Sequence, residues 1–369
     1  MKERPTRLRL ALYWITLWAC VGMVLLGGME VVLRVALKRA LTAETSFPLI
    51  SSEVPGLVYQ LAPNHSGDGI QTDSNGFRLR PVGLAPARHN VLIVGDSISF
   101  GTGVPYAKSY APALESRLNQ GLGQSVAVWN AAVPGYNTSQ EAAMLLRAAP
   151  LVRPDLVVVQ FCMNDYLDPP VLTAGGNLDQ SYSIAENGSA FSNPIKLLYY
   201  SRALVFFKEK FKDLQRARPE WFPVWAHYIH RVQKKPGWQR AKDALLRIQD
   251  SCNRSGARLL FVIFPVEQQL RIGDRAAQDD LLQFTRANGI ETLDLYDSFR
   301  AHWRDGLYID YWEQVKQFDK VHPNERGHAL AAEQIAEAIM DRKEDLLDDK
   351  GPTAAAAGLK TNARYDTAR

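Results

Sequence analysis

The sequence predicts an α/β fold, a doubly wound three-layer sandwich around a mainly parallel five-stranded sheet, preceded by one transmembrane helix. Three observations predict it. Apolar runs at 91–94, 126–129, 156–161, 259–264 and 290–295 alternate with helix-length segments, which is the rhythm of βα units. The first, third and fourth runs, Val-Leu-Ile-Val, Leu-Val-Val-Val-Gln-Phe and Leu-Leu-Phe-Val-Ile-Phe, read as nearly continuous apolar strands covered on both faces. Residues 10–29 contain no Asp, Glu, Lys or Arg, and about twenty helical residues span the roughly 30 Å of a bilayer's hydrocarbon core.

The elements follow in order. Residues 1–40 form the N-terminal anchor, with its helix at about 10–29. An uncleaved anchor is expected, because a signal peptide has an apolar stretch of about 7 to 15 residues and a small-residue cleavage site, whereas this stretch is longer and ends in Gly27-Gly28-Met29-Glu30. Lys2, Arg4, Arg7 and Arg9 precede the helix, and Arg34, Lys38 and Arg39 follow it. That small excess places the N-terminus in the cytoplasm and the bulk of the chain outside it, on the periplasmic side in a Gram-negative source. Residues 41–88, with five prolines, suit an extended connector of loops and short strands. The α/β domain occupies 89–342.

Inside that domain, 166–237 is too long for an ordinary connection and is rich in aromatic and basic residues, as an insertion over a site would be. Asn193-Pro194 starts a helix within it, with Leu197, Tyr200, Leu204, Phe207, Phe211 and Leu214 along one stripe. Such stripes mostly pack on their own domain. With Arg202, Lys208, Lys210 and Lys212 alongside, contact with anionic lipid or a lid over an acyl pocket are the functional readings. Residues 343–369, ending in an Ala-, Gly- and Thr-rich stretch without a periodic apolar face, are expected to be a disordered tail.

Bulk properties exclude some classes. The chain has 369 residues, of which 46% are hydrophobic, and 43 basic against 39 acidic side chains leave a net charge of +4. That is too weak a surplus for a nucleic-acid partner, and no recognition motif for one occurs. Cys20, Cys162 and Cys252 form no Cys-x-x-Cys, and the nearest histidine pair, His227 and His230, has no further ligand nearby in sequence. Neither a disulfide framework nor a metal site is expected, and no cofactor is needed by the chemistry below.

That chemistry starts where the strand Val91-Leu92-Ile93-Val94 runs into Gly95-Asp96-Ser97. Gly-Asp-Ser alone arises by chance in roughly one chain of this length in ten, so its context matters. It closes a strand, precedes Gly101 and Gly103, and leads into a helix beginning near Tyr106. Phosphate-loop patterns and the Gly-x-Ser-x-Gly elbow are both absent there. A serine hydroxyl attacks slowly without a base, and the base needs a carboxylate to hold its tautomer. His322 follows Asp319 by three residues ahead of Pro323-Asn324-Glu325 and a helix to about Met340, so one turn can present both. His328 reads as an ordinary residue of that helix. Donors for a developing oxyanion are the Ser97 N–H, the N–H of Gly135 after the second strand, and the side-chain amide of Asn164 after the third. Asn130 also falls at a strand end, so the candidates converge where ligands bind in open α/β sheets.

With these residues in view, the chain resembles the SGNH, or GDSL-type, hydrolases, specifically membrane-anchored bacterial members, on four blocks between about 90 and 342. They are Gly95-Asp96-Ser97, Gly135, Asn164-Asp165 and Asp319-x-x-His322. Ser74-Asn75-Gly76-Phe77-Arg78 also resembles a segment preceding the first block in such members. The resemblance implies a flavodoxin-like fold and a serine esterase with Ser97 as nucleophile, His322 as base and acid, and Asp319 orienting it. Ser97, Gly135 and Asn164 would form the oxyanion hole. Two departures stand out: Cys162 occupies the usual glycine of the third block, and the 166–237 insertion is not part of the minimal fold. The substrate expected from location is an acyl or acetyl ester on an envelope glycan or lipid. An O-acyltransferase to an envelope polysaccharide using the same Ser97, or a non-catalytic envelope-assembly module on this fold, are the alternatives.

Overall fold

A computed structural model describes residues 7–36, 47–80, 87–123, 125–168, 235–309 and 321–342, with short stretches at 170–172, 178–179, 311–312 and 317–319 and single positions at 207, 210, 211, 214 and 233. Most of the 166–237 insertion and all of 343–369 lie outside the described residues; of the expected helix, Phe207, Lys210, Phe211 and Leu214 are described, helical and exposed.

Helix α1, Arg7–Ala36, lies within the expected anchor 1–40 and extends beyond the helix expected at about 10–29 at both ends. Its stretch Tyr13–Val32 has a mean hydropathy of 1.9, and none of the window is buried. By length and composition it suits a membrane span or a signal sequence.

The sheet consists of β1 His89–Val94, β2 Val126–Asn130, β3 Leu156–Phe161, β4 Arg258–Ile263 and β5 Thr292–Asp294, in the order β5-β4-β3-β1-β2. All four pairings are parallel. The predicted strands are therefore present; the last is shorter than its apolar run, and it pairs only with β4 at the sheet's edge. Between the strands lie α2 Ser97–Phe100, α3 Tyr110–Leu122, α4 Thr138–Val152, α5 Pro236–Ser255, α6 Glu267–Ile272 and α7 Ala276–Ala287; α8 Tyr296–His302 follows β5, and α9 Glu325–Asp341 closes the domain. Helix α3 packs on α9, and α4 on α5. Right-handed crossovers put these two pairs on opposite faces, which explains why β1 and β3 are buried along almost their whole length.

The helix expected from Tyr106 is split. A 3₁₀ turn at Tyr106–Lys108 comes first, and α3 then begins behind Ser109, whose hydroxyl donates to the Tyr106 carbonyl at 2.7 Å. Pro112, in the first turn of α3, is tolerated because that turn needs no intrahelical N–H there.

Residues 47–80 form loops and two short hairpins, Leu49–Ser51 with Tyr59–Leu61 and Ser66–Gly67 with Ile70–Gln71. They are built into the α/β body. Tyr59, Leu61 and Phe77 are fully buried, the Arg78 N–H donates to the Asn130 carbonyl at 3.0 Å, and the Arg78 guanidinium lies between the Phe100 and Tyr106 rings at 4.4 and 4.2 Å. Burial lowers the pKa of that guanidinium to about 10. The two rings supply cation–π attraction in place of lost water.

The strand order reverses between β1 and β3, since the chain moves outward from β1 to β2 and then returns to the other side of β1. A crevice opens at the carboxyl ends of strands on either side of such a switch point. Ser97 follows β1 and Asn164 follows β3, one on each side.

Candidate active site

The Gly-Asp-Ser turn is held from below by one side chain. Val94 is in register with Val159, so Gly95 comes level with Gln160, the one polar residue of β3. A Cβ on Gly95 would lie 2.5 Å from Ser99 Oγ and 2.7 Å from Gln160 Oε1, which accounts for glycine. Gln160 Oε1 accepts the Asp96 N–H at 3.1 Å, the Ser99 N–H at 3.3 Å and the Ser99 hydroxyl at 2.9 Å. Asp96 then caps α2 by accepting the Ile98 N–H at 2.8 Å, and its carbonyl takes the Phe100 N–H at 3.0 Å. From Asp96 to Phe100, only the Ser97 N–H has no acceptor among the described residues.

His322 and Asp319 come from the loop before α9. Asn324 caps that helix by accepting the Arg326 and Gly327 N–H groups, and its amide donates to the Gly306 and Tyr308 carbonyls at 2.8 and 3.1 Å. The Ile309 N–H donates to the His322 carbonyl at 3.0 Å. These bonds fix the loop, and His322 Nε2 consequently lies 2.8 Å from Ser97 Oγ. On its other side His322 Nδ1 lies 2.5 Å from Asp319 Oδ2, while Asp319 Oδ1 accepts the Val321 and His322 N–H groups at 2.8 and 3.0 Å. The residues drawn from opposite ends of the domain thus form one hydrogen-bonded chain.

Its electrostatics are matched. Burial works to lower the His322 pKa, but the Asp319 charge and hydrogen bond, with the Asp96 charge behind them, raise it above its ordinary value. Burial works to raise Asp319, yet the His322 charge and hydrogen bond, with two backbone N–H groups, bring it below the usual carboxylate range.

Gly135 lies on the loop after β2. Its φ is +81°, the left-handed region that side chains resist, and a Cβ there would come within 2.8 Å of Tyr59 Oη and 2.9 Å of Pro170 Cγ. Its N–H likewise has no acceptor among the described residues. The loop is braced by the Val133 N–H to the Gly95 carbonyl at 3.1 Å, by Tyr59 Oη to the Pro134 carbonyl at 3.0 Å, and by Tyr136 Oη to the Tyr59 carbonyl at 2.5 Å. Asn164 Nδ2 donates to Asp96 Oδ2 at 2.8 Å, which brings the third block against the first. Cys162, in the place of a glycine, is buried, and its thiol pKa is raised by burial and by the Asp96 and Asp165 charges.

Asn130 is structural: its amide donates to the Ser99 carbonyl at 2.7 Å and its Oδ1 accepts the Ala132 N–H at 3.1 Å. His328 is buried in α9 and stacked on Tyr110, and it accepts the Tyr110 N–H; burial lowers its pKa to about 3. Gln160 leaves one signal in the sequence, a lone polar residue in an apolar strand, and Tyr59 leaves none. Among the described residues, no three His, Cys, Asp or Glu side chains are grouped to hold a metal ion.

Residues 93–330 match the model of the GDSL-like lipase/acylhydrolase family. The chain belongs to that family. Membership makes this GDSL-like protein a carboxylic ester hydrolase in class. An arylesterase of Vibrio mimicus is 27% identical over 157 residues, covering 41% of this chain and 77% of that one. Among solved structures, TesA is 16% identical with a TM-score of 0.39, covering 68% of this chain and 97% of its own. An acetylxylan esterase from Geobacillus stearothermophilus is 13% identical with a TM-score of 0.41, covering 69% of this chain and 95% of its own.

Proposed function

We infer that this GDSL-family protein is a serine esterase that works through an acyl-enzyme on Ser97. The observation that carries the reading is the hydrogen-bonded chain from Ser97 Oγ through His322 to Asp319, at 2.8 and 2.5 Å. His322 Nε2 takes the hydroxyl proton as Ser97 Oγ attacks the ester carbonyl, and Asp319 stabilises the imidazolium that forms. The oxyanion is received by the Ser97 and Gly135 N–H groups and the Asn164 amide, each donor contributing about 2.7 to 4 kcal/mol. The intermediate collapses, the C–O bond to the leaving alcohol breaks, and His322 returns its proton to that alcohol. Water, deprotonated by His322, then attacks the acyl-enzyme; the carboxylic acid leaves and Ser97 regains its proton. Every group in this cycle belongs to the chain or the substrate.

The substrate we propose is an acyl or acetyl ester on an envelope glycan or lipid. It rests on α1: a span at Tyr13–Val32, with Lys2, Arg4, Arg7 and Arg9 on the cytoplasmic side, puts the catalytic domain outside the cytoplasm. Protease treatment of spheroplasts should then degrade the domain, and full protection would reverse the orientation. For the chemistry, the full-length chain in detergent is assayed on acetyl to long-chain p-nitrophenyl esters beside Ser97→Ala. Hydrolysis should vanish in the variant; hydrolysis that survives the substitution overturns the role of Ser97.

A further inference from the structure

Asp96 is almost fully buried, 1% exposed, immediately before Ser97, and the cycle above gives it no task. Its Oδ1 accepts the Ile98 N–H and its Oδ2 accepts Asn164 Nδ2, both at 2.8 Å. Two oxygens each accepting an N–H is the pattern of a carboxylate. An asparagine amide is nearly symmetric in shape, so its hydrogen-bond partners decide which end points where. The other end of this amide, Asn164 Oδ1, is buried with no partner. Among the described residues, Asp96 is therefore the hydrogen-bond partner that separates the two orientations. In the one adopted, Nδ2 spends one N–H on Asp96 and keeps the second for substrate. Rotated by half a turn, the amide would set its carbonyl oxygen against the carboxylate, acceptor facing acceptor, and would offer a lone pair where a donor is needed.

We propose that Asp96 is a positioning residue for the ester reaction, turning the Asn164 amide so that its N–H, and not its carbonyl oxygen, is presented to the oxyanion. This rests on the reading of Ser97 as nucleophile and Asn164 as oxyanion donor. The carboxylate acts through Asn164 and never touches the substrate, so its removal acts on the transition state more than on ester binding.

Two variants separate this role from helix capping. Asp96→Asn keeps the size but places an NH₂ or a single oxygen where two acceptors stood. Asp96→Ser keeps a hydroxyl able to cap Ile98 and is too short to reach Asn164. On p-nitrophenyl acetate, with the full-length chain in detergent, both should lose about 10²- to 10³-fold in kcat, the size of one oxyanion donor, with KM within about threefold of wild type. Combined with Asn164→Ala, either should be no slower than the slower single variant, because both remove the same donor. A kcat within threefold of wild type in a folded Asp96 variant, or losses that multiply with Asn164→Ala, would overturn the proposal. If Asp96→Asn fails to unfold cooperatively on heating, Asp96→Ser decides alone. Turnover surviving in Ser97→Ala would instead sink the esterase reading beneath it.

Discussion

At the level of single residues, His322 must be neutral to act as the proposed base. Asp319 and Asp96 outweigh burial and raise the His322 pKa, so the base form is lost earlier as pH falls than for an ordinary histidine near 6.5. A profile of kcat/KM against pH should show an acid limb centred above that value, and Asp319→Asn should move it downward. The same variant should cut turnover on the order of 10⁴-fold, as in the serine-protease triad; an unchanged rate would mean that Asp319 does not orient the base. Ser97, Asp319 and His322 were legible in the sequence because each sits at a strand end or just before a helix, in a motif whose residue types the chemistry demands. Gln160 was not. Its three accepted bonds join residues more than sixty positions apart in the chain, and no local pattern records such a contact. Gln160→Leu leaves the buried Asp96 and Ser99 N–H groups without an acceptor, while the Ser99 hydroxyl keeps Tyr110 Oη at 2.6 Å. Denaturant unfolding should show a loss of at least about 2 kcal/mol, with reduced kcat alongside.

At the scale of elements, the parallel strands were readable from their apolar runs, and the switch point between β1 and β3 follows from their order. The order itself was not readable, because βαβ periodicity says which segments are strands and leaves open which are neighbours. The loop after β2 shows the same limit: a glycine at 135 was visible, while the Tyr59 hydroxyl that presses on it comes from 76 residues earlier. Gly135→Ala must hold an L-residue at φ +81° against Tyr59 and Pro170. About 1 to 2 kcal/mol of strain is expected from the backbone alone, and the loop should relieve it by moving its N–H. Steady-state kinetics should therefore show kcat falling at least tenfold with the fold retained in circular dichroism; wild-type kcat would remove Gly135 from the oxyanion hole.

For the whole molecule, residues 47–80 pack into the α/β body. Prolines and glycines punctuate any helix or long strand there, so loops and short strands were expected, and two short hairpins are found. Tyr59, Leu61 and Phe77 are fully buried there, and at about 1.5 to 3 kcal/mol each their loss approaches the whole stability of an ordinary domain, about 5 to 15 kcal/mol. A chain starting at residue 81 should show no cooperative thermal transition, whereas one starting at 41 should unfold cooperatively. In the proposed cycle Ser97 carries the acyl group. The most direct measurement is peptide mapping by mass spectrometry after the full-length chain reacts with a fluorophosphonate. The adduct is predicted on the Ser97 peptide and should be lost in Ser97→Ala; an adduct on any other residue, or labelling that survives the substitution, would contradict the account.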